Sequence, residues 1–181
     1  MAARAIVPVL LAVGALISPR AGAEPALVII VRHAERASEP ATDPALTPAG
    51  ERRAEALATA LADARIGTIL TTTYRRTRDT ARPLATRLGI EPQAVAVRSG
   101  GPDTHIQDVV AAVRRASGNV LVVGHSNTVT AIVAALGGPA WPPLCDTSFG
   151  QAFAVQPNGA QTAVLRLRYG EPDAAPGAGC L

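Results

Sequence analysis

The chain has 181 residues, 48% of them hydrophobic and 17% charged, enough for one domain with a full core and too few for two ordinary ones. Hydrophobic residues recur along its length with turn punctuation between them, which excludes overall disorder. The net charge of +3 comes from 17 arginines, with no lysine, against 14 acids; with aromatics at only 3% there is little to stack on bases, so nucleic acid is not an expected partner.

The first 23 residues read as a secretory signal peptide. Arg4 gives a cationic start, residues 5–17 are an apolar run, and Ala21-Gly22-Ala23 fits a small-x-small cleavage site. Thirteen apolar residues interrupted by Pro8 and Gly14 fall short of the roughly 20 needed to span a bilayer, so no stable membrane anchor is expected. Cleavage would leave 15 arginines against 14 acids, and the basic character would fade. The expected location is therefore exported, periplasmic or secreted. Residues 24–170 are expected to form the domain, and residues 171–181, rich in Pro, Gly and Ala, a disordered tail.

Along the domain, apolar runs alternate with helical patterns in the manner of successive βα units. Residues 27–31 are continuously aliphatic, as in a parallel strand buried on both faces. Thr47 as N-cap and Pro48 at the first helical position open a helix with Ala54, Leu57, Ala58 and Leu61 on one face. Residues 66–71 form a second strand. A helix follows from near Arg76 to just before Gly89, with Pro83 expected to kink or restart it.

Val95 and Val97 mark a weaker strand. Thr104 with Gln107 predicts a capping box, with Ile106, Val109, Val110 and Val113 at helical spacing behind it. Residues 120–123 are the next buried strand, followed by a helix through Val129, Ile132, Val133 and Leu136 that Gly137-Gly138 closes. Two strands, near 151–155 and 162–168, show more alternation and belong nearer the sheet edge. Cys145 and Cys180 could pair in an oxidising compartment, a bridge worth on the order of 3 kcal/mol, or stay apart if the tail is loose. Their spacing, and that of the three histidines, does not suit a metal.

Parallel sheets place ligands beyond the carboxyl ends of their strands. That rule delivers Arg32-His33, Thr71-Thr72-Thr73 with Arg75-Arg76, and Gly124-His125-Ser126 to one rim. Two imidazoles, several guanidiniums and helix N-termini suit a dianionic phosphoryl group. A neutral imidazole nitrogen can attack phosphorus and divide hydrolysis into two steps through a phospho-imidazole.

Three blocks carry a resemblance. Val31-Arg32-His33-Ala34-Glu35, the stretch TTYRRTRDTARPLA at 72–85, and Val123-Gly124-His125-Ser126-Asn127-Thr128 occur in the order and spacing of the histidine phosphatase superfamily, the phosphoglycerate mutase-like fold. The chain resembles that superfamily over residues 26–169. The resemblance implies a three-layer α/β/α sandwich with a mostly parallel sheet, and chemistry needing neither metal nor organic cofactor. It implies His33 as phosphorylated nucleophile, Arg32 and Arg76 as phosphate ligands, and His125 as the second histidine on the phosphoryl oxygens, with Arg75 as a neighbour.

Two departures concern the general acid. Where one branch has an Asp directly after the second histidine, this chain has Ser126; where the other has a Glu in an insertion after the third strand, this chain has only a short stretch before Asp103. Asp103 is the acid candidate; the alternative makes it a helix cap. His105, in a first helical turn, reads as structural. Arg52, Arg53, Arg114 and Arg115 read as solvated surface charge. Glu35 and Arg36 could line the pocket or pair with each other, and Trp141 with Pro142-Pro143 reads as a packed turn.

The leading function is an exported phosphatase acting on a small phosphomonoester, a phosphohistidine or a phosphoprotein. A phosphoglycerate-type mutase and a non-catalytic phosphate-binding protein are the alternatives.

Overall fold

The computed structural model describes residues 25–98, 100–157, 161–175 and 177–181; the expected signal peptide lies outside them. Strand β1 (Val28–Arg32) leads to α1 (Pro48–Ala60), β2 (Ile66–Thr71), α2 (Arg75–Leu88) and the short β3 (Gln93–Ala94). Then come α3 (Gly101–Arg115), β4 (Asn119–Gly124), α4 (Val129–Ala135), β5 (Gln151–Gln156) and β6 (Ala163–Arg168). The sheet order is β3-β2-β4-β1-β5-β6. The β3/β2, β2/β4 and β4/β1 pairs are parallel, whereas β5 and β6 add antiparallel at one edge. This is the expected α/β/α sandwich with a mostly parallel sheet.

The layers follow from alternation along the central strands. Val28, Ile30, Val120 and Val122 point to one face, where they pack with Ile106, Val109 and Val113 of α3 and Ile132 of α4. Ile29, Val31, Leu121 and Val123 point to the other, against Leu57 of α1 and Ala81 and Leu84 of α2. All five residues of β1 are buried. That strand therefore runs through the middle of both cores and delivers its end, Arg32, to the rim from a rigid base.

Local rules explain most boundaries. The Thr47 hydroxyl accepts the Gly50 N–H at 3.1 Å, and Pro48 occupies the first turn, so α1 begins where its cap dictates. Gly50 also lets α1 approach the loop after β1, since a Cβ there would collide with the Glu35 carbonyl. Helix α2 ends at Gly89, whose φ of 66° supplies the left-handed cap.

Other expectations need correction. Helix α2 runs through Pro83 without restarting, because Ala81, Leu84 and Ala85 on its buried side hold it against the core. The third strand is Gln93–Ala94, not a Val95 and Val97 pair; it is an edge strand, and Val97 is 42% exposed. Helix α3 starts at Gly101, with Pro102 in its first turn, so Thr104 is not an N-cap; its hydroxyl donates to the Gly100 carbonyl at 3.2 Å. The capping-box reading of Thr104, and with it the cap reading of Asp103, therefore fails.

The segment after β6 is also not the loose tail that its composition implies. Cys180 forms a disulfide with Cys145, Leu181 exchanges backbone hydrogen bonds with Pro143 and Cys145, and Asp173 is buried. A few specific anchors override a Pro, Gly and Ala background. Among the described residues no helix is long and apolar enough to cross a membrane.

Candidate active site

The ends of β1 and β4 are joined where they leave the sheet: the His33 N–H donates to the Gly124 carbonyl at 2.9 Å. The next residue, Ala34, donates its N–H to Thr80 Oγ1 at 2.9 Å, and that hydroxyl donates to the Arg76 carbonyl at 2.7 Å. Thus the loop after β1, the loop after β4 and the first turns of α2 form one fastened rim. The imidazoles of His33 and His125 meet edge to face there, with centroids 5.4 Å apart.

Hydrogen bonding assigns a different tautomer to each ring. Nδ1 of His33 lies 2.8 Å from the Ala34 carbonyl, which can only accept, so Nδ1 carries the hydrogen and Nε2 the lone pair. Nδ1 of His125 faces Arg76 Nη2 at 3.5 Å, which can only donate, while its Nε2 lies 3.2 Å from Thr72 Oγ1. Burial, followed by the nearby cations, holds both rings neutral: His33 is lowered to about 3 and His125 to about 4. For His33 the bond to Ala34 opposes this shift without cancelling it. A neutral His33 with its Nε2 lone pair available is the form a nucleophile needs.

The two arginines are held by carbonyls and aromatic rings rather than by carboxylates. Arg32 is only 6% exposed; one guanidinium nitrogen donates to the carbonyls of Cys145, Asp146 and Ser148 at 2.8, 3.1 and 3.1 Å. Its guanidinium carbon lies 4.0 Å from the Phe149 ring centroid. Arg76 sits over Tyr74 at 4.2 Å. Neither arginine forms an ion pair among the described residues, and the Nε of each is buried without a hydrogen-bond partner. The buried Arg32 guanidinium, held by carbonyls and a ring face, and the half-buried Arg76 each keep a charge that a bound anion would neutralise.

The structure thus brings together four of the residues singled out in the sequence, Arg32, His33, Arg76 and His125. Arg75 instead points its side chain at Asp79, 3.2 Å away, while its N–H donates to Asp43 at 2.8 Å. Asp103 is exposed in the first turn of α3. Two residues on, His105 is buried, its Nδ1 3.4 Å from the Ala96 carbonyl, and it adds to the lowering of His125.

Comparison with known proteins agrees with this arrangement. The family model described as "Histidine phosphatase superfamily (branch 1)" matches residues 28–96, which include both the His33 and the Arg76 blocks. Over those residues the chain is similar to that superfamily. Among solved structures, the protein histidine phosphatase SixA complexed with tungstate superimposes with a TM-score of 0.62 at 20% identity, over 78% of this chain and 96% of that one. The alpha-ribazole phosphatase from Shigella flexneri gives 0.61 at 17% identity, over 78% and 96%. YhfR from Bacillus stearothermophilus gives 0.57 at 19%, over 76% and 94%. These likenesses show the histidine phosphatase fold. No curated protein matches the chain in sequence.

Sequence reasoning missed several contributors to this rim. Thr72, which bonds His125, was visible only as one of three threonines at a strand end. Phe149, stacked on Arg32, lies in a loop with no motif. The largest miss is Arg53, read as surface charge but only 6% exposed. It donates to both carboxylate oxygens of Glu35, at 2.7 to 3.0 Å, and to the Tyr169 and Glu171 carbonyls, and lies 3.4 Å from Asp173. Glu35 therefore pairs with Arg53, not Arg36. Burial pushes the Glu35 carboxyl up, but the bonds from Arg53 outweigh it and hold it below its ordinary value.

Proposed function

We propose that this protein is a phosphatase that hydrolyses a small phosphomonoester or a phosphohistidine through a covalent phosphohistidine on His33. One observation carries the reading: a neutral His33 with its Nε2 lone pair available stands beside two guanidiniums that form no ion pair among the described residues. Arg32, Arg76 and His125 hold the phosphoryl oxygens. The Nε2 lone pair forms an N–P bond as the P–O bond to the leaving group breaks, and the leaving oxygen takes a proton from an acid. Water then attacks phosphorus, the N–P bond breaks, and inorganic phosphate leaves a neutral His33. Charge stabilisation comes from the side chains, so the step calls for no metal.

In this reading the acid is Asp103. Its carboxylate is exposed on the first turn of α3, two residues before His105, whose charge acts on His125, and that supports the role. Asp103→Asn should lower turnover more as the leaving-group alcohol becomes less acidic; an equal loss for good and poor leaving groups would remove Asp103 from the mechanism. Export belongs to the same proposal, supported by the leader-like first 23 residues and by a disulfide that an oxidising compartment would preserve.

The test is phosphate release from a generic aryl phosphate, with chelator present, by the parent and by His33→Ala. Release by the parent alone supports the reading. Equal release by both, or tight phosphate binding with no release by either, would overturn it, the latter in favour of a phosphate-binding protein. Activity that depends on a bisphosphate primer would favour a mutase.

A further inference from the structure

The loop over residues 143–150 does two things for the rim. It lends three carbonyls to one guanidinium nitrogen of Arg32, and it lays Phe149 on that guanidinium. A loop is a poor clamp unless something holds it. Its own anchors are at one place, where the buried Leu144 donates its N–H to the Ser126 carbonyl at 3.0 Å, and in the turn where the Ser148 N–H donates to the Cys145 carbonyl at 2.9 Å; Pro142 and Pro143 lack an N–H to donate.

The chain after β6 holds it at both ends. At its start, the Leu181 N–H donates to the Pro143 carbonyl at 3.0 Å, the Cys145 N–H donates to the Leu181 carbonyl at 2.8 Å, and Cys145 is bonded to Cys180. At its end, the Asp173 carboxylate accepts the N–H groups of Phe149 and Gly150 at 2.9 Å each. That carboxylate is 2% exposed and also meets Arg53, the partner of Glu35 two residues beyond His33.

Resting on the phosphatase reading above, we propose that the C-terminal segment is a positioning strap for the phosphate site. Cys180 and Asp173 hold loop 143–150 in register, and the loop holds the plane of the Arg32 guanidinium. Neither residue touches the substrate. Their effect passes through Arg32, whose planar fork depends on orientation in a way that a point charge does not.

The experiment measures inhibition by inorganic phosphate and the steady-state constants for an aryl phosphate, in the parent, Cys180→Ser, Asp173→Asn, Arg32→Lys and the Arg32→Lys/Cys180→Ser double variant. Circular dichroism and melting establish that each is folded at the assay temperature. The strap predicts that Cys180→Ser and Asp173→Asn each weaken phosphate binding and raise KM roughly tenfold. In the Arg32→Lys background the loss of the disulfide should cost less than about twofold more, because no fork is left to aim. If Cys180→Ser does not fold, the folded parent is compared before and after native reduction, with the same tenfold expectation.

Unchanged phosphate affinity in folded strap variants would overturn the proposal. So would full additivity of the Cys180 and Arg32 effects, which would mark the strap as a general stabiliser. A parent that neither hydrolyses the ester nor binds phosphate fails differently: it removes the phosphatase reading first, and the strap with it.

Discussion

Two buried arginine sites lie on either side of the His33 loop, and they solve the same electrostatic problem in opposite ways. Arg53 is enclosed by Glu35, Asp173 and two carbonyls, so its charge is neutralised within the chain. Arg32, as deeply buried, has carbonyls and a phenyl ring but no ion pair among the described residues, and its Nε is unsatisfied. Burying a cation without a direct ion pair is costly, and under the proposed function that cost is offset when the phosphoryl group arrives. The difference teaches that burial alone does not separate a structural arginine from a functional one. The presence or absence of a direct carboxylate partner is what differs between them.

The comparison breaks most visibly on the structural side. Arg53→Ala should cost about 3–5 kcal/mol in denaturant unfolding, because it strands the Glu35 carboxylate and leaves the Asp173 side chain with only the exposed Arg168 as cation. Reduction of the Cys145–Cys180 bridge should cost about 3 kcal/mol by the same measurement, through the longer loop freed in the unfolded chain. Arg76→Ala should do the reverse of Arg53→Ala: unfolding changes by less than about 1 kcal/mol, while kcat/KM falls roughly a hundredfold. A large stability loss at Arg76, or a large activity loss with none of stability at Arg53, would erase the distinction.

The last effect is on pH. His33 at about 3 and His125 at about 4 lie below the ordinary value of 6.5, so the unfolded chain takes up protons before the folded one does. Their contribution to stability is complete above pH 6.5 and is lost as the pH falls toward 4 and then 3. Melting against pH in phosphate-free buffer should show this slope, and His33→Gln should flatten it. For the same reason kcat/KM, corrected for ionisation of the substrate, should not fall at pH 6.5, as it would for an unshifted nucleophile.

Much of this was legible in the sequence because it rests on local rules. The aliphatic run of β1 and the Thr47-Pro48 start of α1 each announce themselves within a few residues, and strand ends then place His33 and His125 on one rim. The Arg53 cluster was illegible for a physical reason. Its helix position borders the buried face beside Ala54, and its partners lie 18 residues away at Glu35 and in a distant segment at Asp173. Nothing in the spacing of Arg53 distinguishes a cation awaiting such partners from one facing water. The C-terminal segment misled likewise, since its composition describes the average residue while Asp173, Cys180 and Leu181 make the contacts. Helix α3 shows that a proline in a first turn outranks a plausible capping box at Thr104.

The account stands or falls on where the phosphoryl group goes. The most direct measurement is to mix the protein with excess aryl phosphate, quench it rapidly in alkali, where a phosphoramidate survives, and locate any added phosphoryl group by peptide mass spectrometry. The account predicts one phosphoryl group on the peptide containing His33, absent from His33→Ala. Sustained phosphate release with no phosphorylated peptide, or with the group on another residue, would contradict it.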